Sequence, residues 1–160
     1  MKDGCALAAV AAVGAASAQV TLYGKVDLGI GSTSVTNGVS TTTVNSGSFS
    51  GSRFGFKGTD DLGGGMSMSF NLESQFKADT GLPSAALFHR QAVLSLNTTA
   101  GNVSLGRQYT PGDSAMCGVD LSGCAGASGG AMYATYLSNA ATGDGFGASR
   151  QDNSVAYTLP

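Results

Sequence analysis

The chain has 160 residues, 25 of them glycine, with 8 Lys and Arg against 10 Asp and Glu, a formal charge of −2 and no Trp. Few charges, abundant Gly, Ser and Thr, and almost no helical periodicity point to an all-β domain. No basic run is available to follow a phosphate backbone, so nucleic acid is excluded as a partner.

At the N-terminus, Ala6 to Ala16 is almost entirely Ala, Val and Leu, and Ala16-Ser17-Ala18 is a small-x-small cleavage sequence before Gln19. The apolar run is shorter than the ~20 residues of a spanning helix, so residues 1–18 are expected to be a signal peptide and residues 19–160 the exported part. A short buried Ala-rich helix is the alternative. Export implies an oxidising compartment. Cys5 would leave with the signal, and Cys117 and Cys124, with six residues between them in a Gly- and Ser-rich loop, are expected to form a disulfide. Two free thiols, or a metal pair lacking any further His or Cys ligand, are the alternatives.

From Gln19 the sequence QVTLYGKVDLGIG alternates, with Val20, Leu22, Val26, Leu28 and Ile30 on one side and Thr21, Tyr23, Lys25 and Asp27 on the other. A period of two is a strand, and about ten such residues are what a tilted strand needs to cross a bilayer core. Ser32 to Ser50 reads as a long loop. Two further strands then meet in a hairpin: Phe54 and Phe56 oppose Arg53, Lys57 and Thr59, while Met66, Met68, Phe70, Leu72 and Phe76 oppose Ser67, Ser69, Asn71, Glu73 and Gln75. The turn between them, Asp60-Asp61-Leu62-Gly63-Gly64-Gly65, combines acids that accept local backbone bonds with glycines that tolerate positive φ.

A second long connection, Ala78 to Phe88, leads into HRQAVLSL, where Ala92, Leu94 and Leu96 share a face. After the short turn Thr98-Thr99-Ala100-Gly101, NVSLGRQY places Val103, Leu105 and Tyr109 on one side. The longest loop follows, from about residue 110 to 149, and DNSVAYTL closes with Val155, Tyr157 and Leu159 on its apolar side. Connections therefore alternate long, short, long, short, long, as in a transmembrane antiparallel β-barrel with short turns at one rim and long loops at the other.

Four stretches, VTLYGKVDLGI, SRFGFKGTDDLGGG, HRQAVLSLNTTAGNVSLGRQYTP and RQDNSVAYTLP, together resemble the general diffusion porins of Gram-negative outer membranes, in their β-proteobacterial and neisserial branch. The resemblance runs from about Val20 to Pro160. It implies a homotrimer of barrels of about sixteen strands in outer-membrane lipid, passing small hydrophilic solutes and ions without catalysis or cofactor. It further implies that the third long loop folds into the lumen, where wall arginines face loop acids. Some six strands cannot enclose such a lumen, so the expectation is an N-terminal part of a longer barrel. Ala156 stands where family members commonly carry a basic residue.

Alternation puts Lys25, Arg53, Lys57, Glu73 and Arg150 on the polar face. The expected constriction is Lys25, Arg53, Arg107 and Arg150 on the wall, with Asp120, ahead of Asp113 and Asp144, on the loop. Strict parity would point Arg107 at lipid, at about 2–4 kcal/mol near the midplane, so a bend at Gly106 is expected to turn it inward. Arg90 shares that parity and is assigned to the rim. Each of these charges has the alternative of being a solvated or paired surface group. His89 lacks the nucleophile and acid of a catalytic set, Asp60-Asp61 reads as turn rather than Ca²⁺ chemistry, and Gly63-Gly64-Gly65 precedes no Lys-Ser/Thr and no helix; neither metal nor cofactor is expected. An exported β-rich surface adhesin is the alternative function, and a barrel enzyme of lipase type is a weaker one.

Overall fold

A computed structural model of the chain describes residues 19–33, 38, 40–119 and 149–160. The expected signal peptide, Cys5, Asp120, Cys124 and Asp144 lie outside the described residues.

Strands β1 (Gln19–Lys25), β4 (Arg53–Gly63), β5 (Met66–Gln75), β6 (Gln91–Thr98), β7 (Gly101–Tyr109) and β8 (Arg150–Thr158) form one antiparallel sheet in that order, and β2 (Leu28–Thr33) and β3 (Thr41–Ser46) form a second, two-stranded one. A nine-residue helix, α1 (Pro111–Val119), follows β7.

Register turns local alternation into two continuous faces. One row aligns Val20, Gly58, Phe70, Leu94, Leu105 and Val155, and the next aligns Thr21, Lys57, Asn71, Val93, Gly106 and Ser154. Directly opposed residues point the same way, so successive rows belong to opposite faces. On the apolar face Val20, Leu22 and Val155 are 56%, 67% and 72% exposed, whereas Ser52 is the only fully buried side chain among the described residues. A sandwich would cover such rows with a second layer. Here none of the described residues does so, and the face is oriented as a barrel's outside.

The short turns lie at one end of the sheet. Gly63, Gly64 and Gly65 have φ of 76°, 64° and 79°, and Asp61 Oδ1 accepts from Gly63 N at 2.8 Å. Between β6 and β7, Thr98 Oγ1 accepts from Ala100 N at 3.1 Å.

Two expectations need correction. The first strand does not run unbroken to Gly31: it stops at Lys25, which pairs with Arg53, the first residue of β4. At the break Ser52 Oγ accepts from Asp27 N at 2.9 Å and donates to Asp27 O at 3.1 Å, and the Asp27 carboxylate accepts from Phe49 N and Ser50 N at 3.2 and 2.7 Å. Beyond it β2 has no β4 residue left to pair, and the β-branched run Thr41 to Val44, read as loop, supplies its partner as β3. The loop after β7 likewise opens as α1. Thr110 Oγ1 accepts from Asp113 N at 3.3 Å, Pro111 begins the helix, and Asp113 sits in its first turn.

Candidate functional site

The polar face carries its charges where the long connections begin. At the centre is Glu73 on β5, 7% exposed and opposite Gly55 on β4. A Cβ at Gly55 would lie 2.7 Å from the Tyr23 phenol and 2.6 Å from Leu72 O. Because Gly55 has none, Tyr23 reaches from β1 across β4, and its single hydroxyl proton is shared between Glu73 Oε2 at 3.0 Å and Asn71 Oδ1 at 2.8 Å. Asn71 in turn donates through Nδ2 to Gln91 Oε1 at 2.6 Å, which fixes the amide's orientation.

Cations surround this carboxylate. Arg90 donates through Nε to Glu73 Oε1 at 2.5 Å, through one terminal nitrogen to Gln75 Oε1 at 2.6 Å and through the other to the Tyr109 hydroxyl at 3.1 Å. Arg53 Nε stands 3.6 Å from Glu73 Oε2. Arg150 donates to the same Tyr109 hydroxyl at 2.6 Å, with its guanidinium carbon 4.3 Å from the ring centroid. Lys25 Nζ donates to Ser50 Oγ at 2.5 Å, and Lys57 Nζ lies 5.6 Å from the Tyr23 ring centroid. One carboxylate thus sits among several cations that polar side chains hold side by side, a fixed arrangement that attracts anions.

Helix α1 brings a second acid toward this group. Asp113 is 3% exposed, and its carboxyl is pushed up by burial and pulled partly back by Arg150 and Arg90. Its Oδ1 and Arg150 Nε are the buried side-chain polar atoms without a hydrogen-bond partner among the described residues. One helical turn on, Cys117 is disulfide-bonded, with Sγ 3.9 Å from Asp113 Oδ2.

Of the expected constriction residues, Lys25, Arg53 and Arg150 lie on this face, and Asp120 and Cys124 fall outside the described residues. Arg107 is placed elsewhere. Its Cα partner is Ala92, in the row of Leu22, Phe56 and Leu72, and it bonds His89 O through Nε and Asp152 Oδ1 at 2.5 Å. The irregularity expected at Gly106 exists, but the extra residue is in β8: β7 advances from Gly106 to Gln108 while β8 runs from Ser154 to Gln151, with Asn153 at φ 50°. The register of Arg107 against β6 is undisturbed, so it keeps its apolar parity.

Arg90 is the residue that alternation missed. It precedes β6, after Phe88 at φ 54°, and its amide donates to Glu73 O at 3.2 Å. A residue just outside a strand is not bound by that strand's parity, and its position before Gln91, which pairs with Glu73, was the available signal. Tyr109, expected on the apolar side, instead serves both arginines. Ala156 aligns with Ser104 and Ser95 on the polar face, leaving that row without a cation. His89 is half-buried, its Nδ1 3.0 Å from Ala86 O, and the described residues contain no group of three potential metal ligands.

The profile of the Gram-negative porins matches residues 5–160. Outer membrane porin protein 32 of Delftia acidovorans is 40% identical over 119 residues, covering 72% of this chain and 34% of its own length. An outer membrane porin protein of Bordetella pertussis is 35% identical over 119 residues, covering 64% and 31%. Among solved structures, an anion-selective porin from Comamonas acidovorans superposes with a TM-score of 0.70 at 30% identity, over 89% of this chain and 43% of that one. The chain thus spans about a third of the curated relatives it matches. An antiparallel wall with an uncovered apolar face, long connections at one end and a charged inner face, joined to these matches, shows that the chain belongs to the Gram-negative porin family of the outer membrane.

Proposed function

We propose that this wall lines a water-filled channel for passive diffusion of small hydrophilic solutes and ions, with anions favoured where Lys25, Arg53, Arg90 and Arg150 gather. The observation that carries the reading is their grouping around the Glu73 carboxylate, on the face opposite the exposed Val and Leu rows. Passage through such a hole needs no covalent step. It needs fixed charges strong enough to bias entry and weak enough to allow exit. Two unit charges about 10 Å apart interact by ~0.4 kcal/mol in water and roughly 1.7 kcal/mol at an effective dielectric near 20, which meets both conditions.

The name of the Comamonas neighbour, an anion-selective porin, supports the sign of the preference. Residues 1–18 act as the export signal, Asp120 faces the wall from the loop, and Cys117 pairs with Cys124 to close the chain beyond α1. The assembly is a homotrimer in outer-membrane lipid. Planar-bilayer recording of the full-length protein tests the channel. Stepwise ohmic conductance with a reversal potential on the anion side is expected, and Arg53→Glu should move that potential toward cations. Absence of conductance in the purified, folded protein rejects the reading.

A further inference from the structure

We infer that Tyr23 is a positioning residue that tunes this anion preference, by keeping the ion pair of Arg53 and Glu73 from closing to a hydrogen bond. The inference rests on the channel reading above and concerns how the charges of that site are divided.

Glu73 has two oxygens and three claimants. Oε1 is taken by Arg90 at 2.5 Å. Oε2 accepts from the Tyr23 hydroxyl at 3.0 Å, while Arg53 Nε stands at 3.6 Å from it, beyond hydrogen-bond range. At that distance Arg53 is ion-paired with Glu73 but makes no side-chain hydrogen bond to the described residues, so its donors are left for the solvent. A neutral phenol thus satisfies the oxygen that a cation would otherwise claim.

Every part of this depends on Tyr23 crossing β4. The crossing is open because Gly55 has no side chain, and Asn71, oriented by Gln91, presents an oxygen that holds the hydroxyl over Glu73. Lys57 beside the ring keeps the phenol in place from the other side. Remove the hydroxyl, and Oε2 of a carboxylate that is 7% exposed has lost a donor, with Arg53 as the nearest replacement. A charged donor to a carboxylate is the stronger bond, so the loose ion pair of Arg53 and Glu73 closes to a hydrogen bond and draws the guanidinium back from the lumen.

The test is Tyr23→Phe, which keeps the ring and its packing, in the full-length protein. Reversal potentials in a KCl gradient should show anion-over-cation permeability falling by up to about twofold, because the substitution removes no charge and only draws the Arg53 guanidinium back toward Glu73. The same substitution should be silent in a Glu73→Gln background, where no negative charge remains to be redirected. Tyr23→Leu, which also lacks the donor, should shift the potential in the same direction. A crystal structure of the Tyr23→Phe protein should place Arg53 within hydrogen-bond range of Glu73. Wild-type selectivity in Tyr23→Phe, an equal fall with Gln at position 73, or an Arg53 still out of range would overturn the inference while leaving the channel intact. Loss of conductance in the wild type would reject the channel reading itself, and the crystal structure would still decide the position of Glu73.

Discussion

Arg90 donates through Nε to Oε1 of Glu73 at 2.5 Å, although counting along the sequence assigns them to opposite faces of the wall. The pair joins a residue within β5 to one that precedes β6, and it gives Glu73 its closest positive partner. Arg90→Gln should therefore do two things at once. It should move the reversal potential toward cations, because one positive charge is lost and Glu73 is left unneutralised. It should also lower stability by roughly 1–3 kcal/mol, the range for a buried charged group deprived of its partner. Urea unfolding of the refolded full-length protein in detergent measures the second effect.

Arg107 provides the contrast. Its partner Asp152 lies in the irregular stretch of β8 between Gln151 and Ser154, and the two side chains are 31% and 64% exposed. Arg107→Gln should leave the reversal potential at its wild-type value and change stability by no more than about 1 kcal/mol, as for exposed ion pairs generally. A shift as large as that of Arg90→Gln would place Arg107 in the lumen after all.

Acidification should act through Asp113. Burial raises its carboxyl above the ordinary aspartate value of 3.8, against the opposing pull of Arg150 and Arg90. The folded state therefore binds this proton at higher pH than the unfolded chain does. Folding is destabilised by Asp113 above its folded pKa, and that penalty is relieved as pH falls through it, fully so below 3.8. Protonation also removes a negative charge beside Arg150. Anion preference should rise on acidification, starting above the usual aspartate range, and Asp113→Asn should show the raised preference already at neutral pH with that step flattened. Reversal potentials recorded across a pH series check both.

Gly106 holds φ at 120°, and a Cβ there would meet Ala92 O at 2.1 Å. Gly106→Ala should destabilise the sheet by roughly 2–5 kcal/mol through backbone strain and overlap together. Gly63 has φ 76° but nothing within 4 Å of its would-be Cβ, so Gly63→Ala should lose only the strain, about 1–2 kcal/mol. The difference between the two unfolding midpoints separates crowding from conformation.

Much of the wall could be read from the amino acids alone. The alternation of β1, β4 and β5, the Asp61 to Gly65 turn, and the polar placement of Lys25, Arg53 and Glu73 follow from a period of two, which the covalent backbone imposes on any extended strand. Other features required the assembled sheet. That the apolar rows face outward depends on none of the described residues covering them as a second layer. Asp27 breaks the first strand because Ser52 and the Phe49–Ser50 amides converge on it from elsewhere in the chain. Arg90 and Tyr109 lie at a strand entrance and a strand end, where parity within one strand no longer dictates direction, whereas Arg107 beside the bulge keeps the parity read from the sequence. At those points neighbouring strands decide where a side chain goes, through the partner each offers: Glu73 for Arg90 and the two guanidiniums for Tyr109.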